Sequence, residues 1–383
     1  MKTKRKVLVL LGWHDTRTLL ALARHARAAE WHLDTRHFFN ETLPHGWQGD
    51  GMIVSNPARR DALQFIRRQV GRQPTVLIEG NNPGLRVPQV AEDNPAAGRL
   101  AAEHLLELGH KHFAWWSPYE GQVPAGRWAG FQAVLAQAGY TPQRLEYRAA
   151  KPENDWSRRR AWLVRRLRTL PRPVALFALD DQLAAEAVEM CLEANLRVPQ
   201  DVAVVGVGNI ELACETSLVP ITSVDNASEA VALAGAQLLD RLMAGGRAPK
   251  QPTLIPPRGL VVRSSSNALA LTHPAMIRAV KYVDEHLAEA LDMNRLAAAA
   301  GVARRTLYNL FDSELRCTPA ALLRRQRLVK ARQLLQNPNA SLKEVVDRCG
   351  FGTARTLHRI FHDSEGRSPH AWRLARLKGE SIL

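Results

Sequence analysis

Arg304 to Pro319 reads RRTLYNLFDSELRCTP, and fifty residues later Ala354 to Pro369 reads ARTLHRIFHDSEGRSP. Leu307, Leu310, Phe311, Thr318 and Pro319 return as Leu357, Ile360, Phe361, Ser368 and Pro369. In each copy apolar residues at i, i+3 and i+4 mark one face of a helix, with Arg set between them. Each copy follows a second amphipathic segment that ends in glycine, Leu296 to Gly301 and Val345 to Gly350. Glycine suits a tight inter-helix turn because it takes positive φ without Cβ strain. The pattern predicts two helix-turn-helix units, at 292–314 and 341–364. Two such units in a basic segment mean binding to double-stranded DNA.

Residues three or four apart share a helix face. Arg305, Tyr308 and Asn309, with Arg304 beside them, therefore present one face while Leu307, Leu310 and Phe311 pack inward. Arg reads guanine bidentately and Asn reads adenine, so these residues are the expected base readers of the first unit. In the second unit Arg355 and Arg359 lie four apart, with Thr353, Ala354 and His358 nearby. Between the units Pro319 to Leu335 has helical periodicity, with Thr318 as N-cap and Pro319 in the first turn. A helix of that length spans about 25 Å, enough to set two reading helices in successive major grooves roughly 34 Å apart. Arg324, Arg325, Arg327, Lys330 and Arg332 are then expected to contact phosphates.

The whole chain carries a formal charge of +15, which suits a polyanionic partner. The excess does not locate that partner. From His273 onward Lys and Arg exceed Asp and Glu by 8, and the preceding residues supply the other 7. Four cysteines, Cys191, Cys214, Cys317 and Cys349, have neither disulfide-framework nor zinc-site spacing and read as reduced thiols. The apolar run Val7–Leu11 is too short for a signal peptide and reads as a buried strand. No segment approaches the roughly 18–20 apolar residues that span a membrane. A cytoplasmic protein is expected, with no membrane partner, metal or cofactor.

Upstream of residue 262 short apolar runs alternate with amphipathic helical stretches. Val7–Leu11, Gly51–Val54, Thr75–Glu79, Phe113–Trp116, Val174–Ala178 and Val202–Val207 read as buried strands. Ala96–Leu108, Arg127–Ala138, Ser157–Leu170, Asp181–Ala194 and Ser228–Met243 read as helices between them. This alternation predicts βαβ units with mostly parallel sheets, and its length predicts two lobes. Arg263-Ser264-Ser265-Ser266-Asn267 is the composition break, after which the chain reads as all-α. The expected division is an effector domain at 1–265, a linker at 266–274 and a DNA-binding domain at 275–383.

Residues 275–377 resemble an AraC/XylS-type DNA-binding domain. The carrying motifs are Gly301-Val302-Ala303, Leu307-x3-Phe311, Cys317-Thr318-Pro319, Cys349-Gly350-Phe351 and the closing Gly366-Arg367-Ser368-Pro369-x2-Trp372-Arg373. Asp312 stands where Lys is common and Trp372 where Tyr is usual. The first 262 residues resemble the effector domain of LacI/GalR-type repressors, which is built like a periplasmic sugar-binding protein. Asp93-Asn94-x3-Gly98, Arg127-x2-Gly130-Phe131, Phe177-x3-Asp181-Gln182 and Val198-Pro199-x-Asp201-Val202 carry that resemblance. In that family the DNA-binding headpiece comes first, whereas here a DNA-binding domain comes last.

The two resemblances imply a transcription regulator, an activator of sugar-utilisation genes, controlled by a small sugar such as xylose or a related pentose. They also imply a homodimer and admit RNA polymerase as a further partner. Arg127 and Asp181 match positions that hydrogen-bond sugar hydroxyls in the family, and a guanidinium with a carboxylate suits vicinal hydroxyls. Trp13, His14 and Asp15 follow the first strand at its carboxyl end, where ligands of open α/β sheets bind. Trp13 and Trp116 could stack on a sugar ring, and Asp15 could instead cap a helix. Gly208 stands where the family commonly has Asp, which removes an acceptor and leaves Asn209 as the candidate to replace it. The alternative is a DNA-binding regulator whose first domain has lost its ligand and only dimerises. An enzyme is not expected: the chain lacks a Gly-rich phosphate loop, a GxSxG elbow and an HExxH motif.

Overall fold

Gly51–Val54, Thr75–Ile78, Val174–Ala178 and Val202–Val207 are buried along most or all of their length, and each is a strand flanked by parallel neighbours. Strands covered on both faces by helices select continuous Val, Leu, Ile and Ala runs. The computed structural model describes residues 4–12, 15–55, 60–79, 85–147, 155–271, 273–315, 317–335, 337 and 339–377.

The first lobe is built from β1 (Arg5–Leu10), α1 (Thr16–Ala28), β2 (Trp31–Asp34), α2 (Arg36–Asn40), β3 (Gly51–Val54), α3 (Arg60–Gln69), β4 (Thr75–Ile78) and β5 (Gln89–Glu92). The second contains α4 (Asn94–Glu107), β6 (His112–Trp116), α5 (Gln122–Gln137), β7 (Gln143–Leu145), α6 (Trp156–Thr169), β8 (Val174–Ala178), α7 (Asp181–Glu193), β9 (Val202–Val207), α8 (Glu211–Thr216) and β10 (Thr222–Asp225). The chain then returns to the first lobe as α9 (Ser228–Met243) and β11 (Thr253–Ile255), and to the second as β12 (Gly259–Val261). Strand orders are β11-β5-β4-β3-β1-β2 and β12-β10-β9-β8-β6-β7, parallel except for the antiparallel β10–β12 pair.

Three crossings join the lobes, and they are tied to one another. The Asp93 amide donates to the Ile255 carbonyl at 2.8 Å, and the Arg258 amide to the Asp225 carbonyl at 2.8 Å. Asn226 Nδ2 donates to the Glu92 carboxylate. Neither β11 nor β12 was expected from the sequence, because three residues around Pro256-Pro257 carry no periodicity.

The rest is helical: α10 (Pro274–Glu285), α11 (Met293–Ala300), α12 (Arg304–Leu315), α13 (Pro319–Leu335), α14 (Leu342–Cys349), α15 (Ala354–Glu365) and α16 (Pro369–Leu377). Two cores lie side by side. Leu296, Leu307 and Phe311 centre the first, and Val345, Leu357 and Phe361 the second. α13 serves both, with Leu322 and Leu323 in one and Leu328, Ala331 and Leu335 in the other. Asp292, Ser341 and Thr353 accept backbone N–H bonds as N-caps of α11, α14 and α15.

The serine-rich break is not slack. Ser265 and Ser266 are 0% exposed. The Ser265 carbonyl accepts the Val204 amide at 2.8 Å, while its Oγ accepts from the Thr222 amide at 2.8 Å and donates to the Val204 carbonyl at 2.6 Å. Serine composition marks a change of domain here, but its hydroxyls are consumed in fastening the segment to β9 and β10.

Candidate effector cleft and DNA interface

Charged side chains from both lobes meet at the carboxyl ends of β1, β4 and β9. Asp15 caps α1 and takes the Arg17 guanidinium at 3.1 and 2.9 Å. Burial opposes the Asp15 charge, but Arg17 holds the carboxyl below its ordinary range. Arg17 also crosses to the second lobe, where its Nη1 donates to the Asn209 carbonyl at 2.9 Å and its Nη2 to the Gly208 carbonyl at 2.7 Å. Thr18 Oγ1 donates to Glu79 at 2.9 Å. Burial, with the Glu92 carboxylate nearby, pushes Glu79 up to about 7. Near neutrality this carboxyl can therefore either donate to a hydroxyl or accept from one.

Arg127 is buried, and its donors go to Asn94 Oδ1 at 2.8 Å, the Leu179 carbonyl at 2.5 Å and Glu92 at 3.1 Å. Burial raises the Glu92 pKa, against the attraction of Arg127. Asp181 is also buried; it accepts Ser223 Oγ at 2.5 Å and the Ile210 amide at 2.8 Å. Asn209 is held on three sides. Its amide donates to Ser223 Oγ at 2.9 Å, its Nδ2 to Asp225 at 3.2 Å, and its Oδ1 accepts Arg263 at 3.0 Å. Asp181 and Asn209 thus shape the loop after β9, and Arg17 takes that loop's carbonyls.

Gly208 has a local reason to lack a carboxylate. Its φ is +130°, and a Cβ there would lie 3.1 Å from Asp181 Oδ2. An Asp would strain the backbone and crowd a second carboxylate against the first. Its carbonyl acts instead, as an acceptor for Arg17.

Trp116 corrects the expectation of a sugar platform. It is 0% exposed, belongs to the second-lobe core and stacks on Trp162 with ring centroids 5.9 Å apart. A strand-end Trp and a core Trp look alike in sequence. Trp13 and His14 lie outside the described residues. Arg17, Glu79 and Glu92 were missed by sequence reasoning, although Arg17 follows Asp15 by one helical residue pair and was within reach of it.

On the other domain Arg304, Arg305, Tyr308 and Asn309 of α12 are exposed, with Leu307 and Phe311 buried beneath them. Thr353, Ala354, Arg355, His358 and Arg359 are likewise exposed above buried Leu357 and Phe361. Thr353 also caps α15, and Arg359 lies 3.9 Å from Asp363. Arg355, His358 and Arg359 line an open groove of about 580 Å³ together with His362 and Ser368. His362 was missed, though it lies one turn beyond His358 on the same face.

The expected row of phosphate contacts on α13 needs correction. Arg325 donates to the Glu107 carbonyl, Arg327 to the carbonyls of Leu287 and Glu289, and Arg332 to Glu365 and Ser364. Helix periodicity does not distinguish an Arg that caps a neighbouring carbonyl from one facing solvent. Arg324 is exposed and Lys330 partly so.

Comparison with known proteins matches this two-part architecture. A periplasmic binding protein-like domain matches residues 102–266 and a helix-turn-helix domain residues 296–375. The chain is 27% identical over 391 residues to the xylose operon regulatory protein of Escherichia coli (strain K12), covering 97% of this chain and 98% of that protein. The chain is a transcription regulator that joins a periplasmic binding protein-like domain to a C-terminal helix-turn-helix domain. A solved structure of the xylose-binding transcription activator xylR superposes with a TM-score of 0.63 at 25% identity, covering 98% of this chain and 99% of that one. The xylose operon regulatory protein of Haemophilus influenzae (strain ATCC 51907 / DSM 11121 / KW20 / Rd) is 25% identical, covering 79% of each chain.

For this regulator, Arg305→Ala and Arg355→Ala should each weaken specific DNA binding by roughly 1–3 kcal/mol and relax base choice at one position. Titration of both variants against specific and random duplexes checks this. Equal losses on the two duplexes would make the residues phosphate contacts instead.

Proposed function

We propose that this regulator binds a small sugar, xylose or a related pentose, between its lobes and activates sugar-utilisation genes in response. The observation that carries the reading is Arg17, which is paired with Asp15 on one lobe and bonded to the carbonyls of Gly208 and Asn209 on the other. With Glu79 it brings donors and acceptors to the strand ends that meet between the lobes, the chemistry that vicinal hydroxyls require. The full-length likeness to xylose operon regulators favours a pentose. The effector domain would end near residue 265 and the DNA-binding domain begin near 275. Base reading would fall to Arg304, Arg305, Tyr308 and Asn309 in one unit, and to Thr353, Ala354, Arg355, His358 and Arg359 in the other. Arg127, Asp181, Asp15 and Asn209 would support the sugar site, Arg127 and Asp181 by holding its loops. The working form would be a cytoplasmic homodimer that contacts RNA polymerase.

Lobe closure on a sugar shifts the DNA-binding equilibrium only as far as the sugar prefers one lobe arrangement over the other. The test is a thermal-shift screen of the full chain with xylose and a panel of other sugars. A ligand present at 100 times its Kd adds about 2.7 kcal/mol, a visible shift. The shift should disappear in Arg17→Ala. Silence of the folded protein across the panel would favour a first domain that only dimerises.

A further inference from the structure

α4 belongs to the second lobe, yet its C-terminal turn is completed by residues on the other side of the serine-rich break. The last carbonyls of a helix have no intrahelical partner and sit at the negative end of its dipole. Here the Glu107 carbonyl accepts Arg325 Nη1 from α13 at 2.5 Å, and the Leu108 carbonyl accepts the Ala270 amide at 2.9 Å. The next residue, Gly109, is in close contact with the end of α12. A Cβ there would lie 3.3 Å from the Glu314 carbonyl oxygen and 3.3 Å from Leu315 Cδ2. One turn earlier His104 Nε2 bonds Ser266 Oγ at 2.8 Å, and Ser266 Oγ in turn donates to Thr222 of β10 at 2.8 Å. Leu269 and Leu271 pack on the core of the first helix-turn-helix unit.

The second unit is placed differently. It faces the inter-lobe crossings over a cavity of about 700 Å³, with Arg17, Asp225, Glu229 and Arg258 on one side and Arg332 and Trp372 on the other. Arg258 pairs with Glu229 at 3.2 Å, and Arg332 pairs with Glu365, so each of these ions is satisfied on its own side. Contact is close at the C-terminal turn of α4, whereas Arg17 and Glu229 of the first lobe face the cavity.

We infer that the DNA-binding domain is mounted on the second lobe through the C-terminal turn of α4, and moves with that lobe as one body when the lobes shift. The reading residues of α12 lie toward its N-terminus and are exposed, while its C-terminal end, at Glu314 and Leu315, is docked. The mount therefore orients the reading helix without covering it. Rotation at the hinge then re-aims α12 and α15 relative to the first lobe, whichever ligand drives the rotation.

The test uses pairs of spin labels on the full chain, with the half-buried Cys317 replaced by Ser. One pair joins the second lobe to the DNA-binding domain (Gln132→Cys with Asp347→Cys), and the other joins the first lobe to it (Gln64→Cys with Asp347→Cys). All three positions are exposed. Arg17→Ala removes one tie between the lobes and needs no ligand, so the result does not depend on the sugar proposal. It should broaden only the first-lobe distance. Arg325→Ala should broaden the second-lobe distance, Arg325→Lys should largely restore it, and Arg324→Ala should leave it unchanged. Gly109→Ala, which presses a methyl on Leu315, should act in the same direction as Arg325→Ala. A narrow second-lobe distance in both Arg325→Ala and Gly109→Ala overturns the mount. Broadening of both distances in Arg17→Ala, or of neither, overturns the assignment of the domain to the second lobe.

Discussion

Gly350→Ala should destabilise the second helix-turn-helix unit by about 3 kcal/mol or more, whereas Gly301→Ala at the matching position of the first unit should cost only about 1 kcal/mol. Both glycines end a helix with φ of +69°, so both substitutions carry the same left-handed strain. Their surroundings differ. At Gly301 the nearest atom to an added Cβ is the Arg278 guanidinium, 3.2 Å away at the end of a flexible side chain. At Gly350 the Cβ would lie 2.5 Å from the Leu287 carbonyl oxygen and 2.6 Å from Ala288 Cα. That backbone cannot easily retreat, because Arg327 from α13 binds the carbonyls of Leu287 and Glu289 at 2.8 and 2.6 Å. Gly350 is the place where the second unit rests on the turn that follows α10. Hydrogen exchange of α14 and α15 in the full chain measures the effect directly. Equal protection in the two variants would show that the backbone contact carries no weight. Specific DNA binding should fall with it in Gly350→Ala and survive in Gly301→Ala.

These differences also mark where sequence reading stops. The two units were legible because their core residues repeat at a fixed spacing and their glycines punctuate it. That Gly350 is sterically locked and Gly301 is not depends on Leu287, more than sixty residues from the one and only fourteen from the other, and no local pattern records it. The long strands were legible as apolar runs, while β11 and β12 exist only because neighbouring strands accept three-residue additions. In the cleft Arg127 and Asp181 were found through a family pattern, but their donors and acceptors turn out to face protein partners. Arg17 and Glu79 have no motif, and their importance comes from being brought together from different strand ends. The α13 arginines look like a cationic stripe, and only their partners reveal Arg325, Arg327 and Arg332 as fasteners.

Replacing Glu92 should be the more damaging way to break the buried pair at the hinge. The side chains of Arg127 and Glu92 are 6% and 11% exposed, 3.1 Å apart. Glu92→Gln leaves a guanidinium buried without its counter-charge, and Arg cannot shed its proton at any ordinary pH. A loss of roughly 3–5 kcal/mol follows, and with no carboxyl left to titrate at this site the stability of Glu92→Gln should itself be nearly independent of pH between 5 and 8. Arg127→Met leaves the carboxyl instead, and a carboxyl can become neutral. Burial already raises the Glu92 pKa, and removing the attraction of Arg127 raises it further. With the folded-state pKa above the unfolded one, the folded protein binds the extra proton, so stability falls as pH climbs from the ordinary carboxylate range through the raised value. Arg127→Met should therefore come closest to the parent near pH 5 and lose up to about 1.4 kcal/mol for each pH unit above that, until the carboxyl ionises in the folded state. Urea unfolding of both variants at pH 5 and pH 8 separates the two behaviours. A pH-independent Arg127→Met would mean that water reaches Glu92 and the pair is not a buried one. Because Glu92 also holds Asn226 on the second crossing, the same loss should loosen the hinge, with lobe opening rising in Glu92→Gln before global unfolding begins.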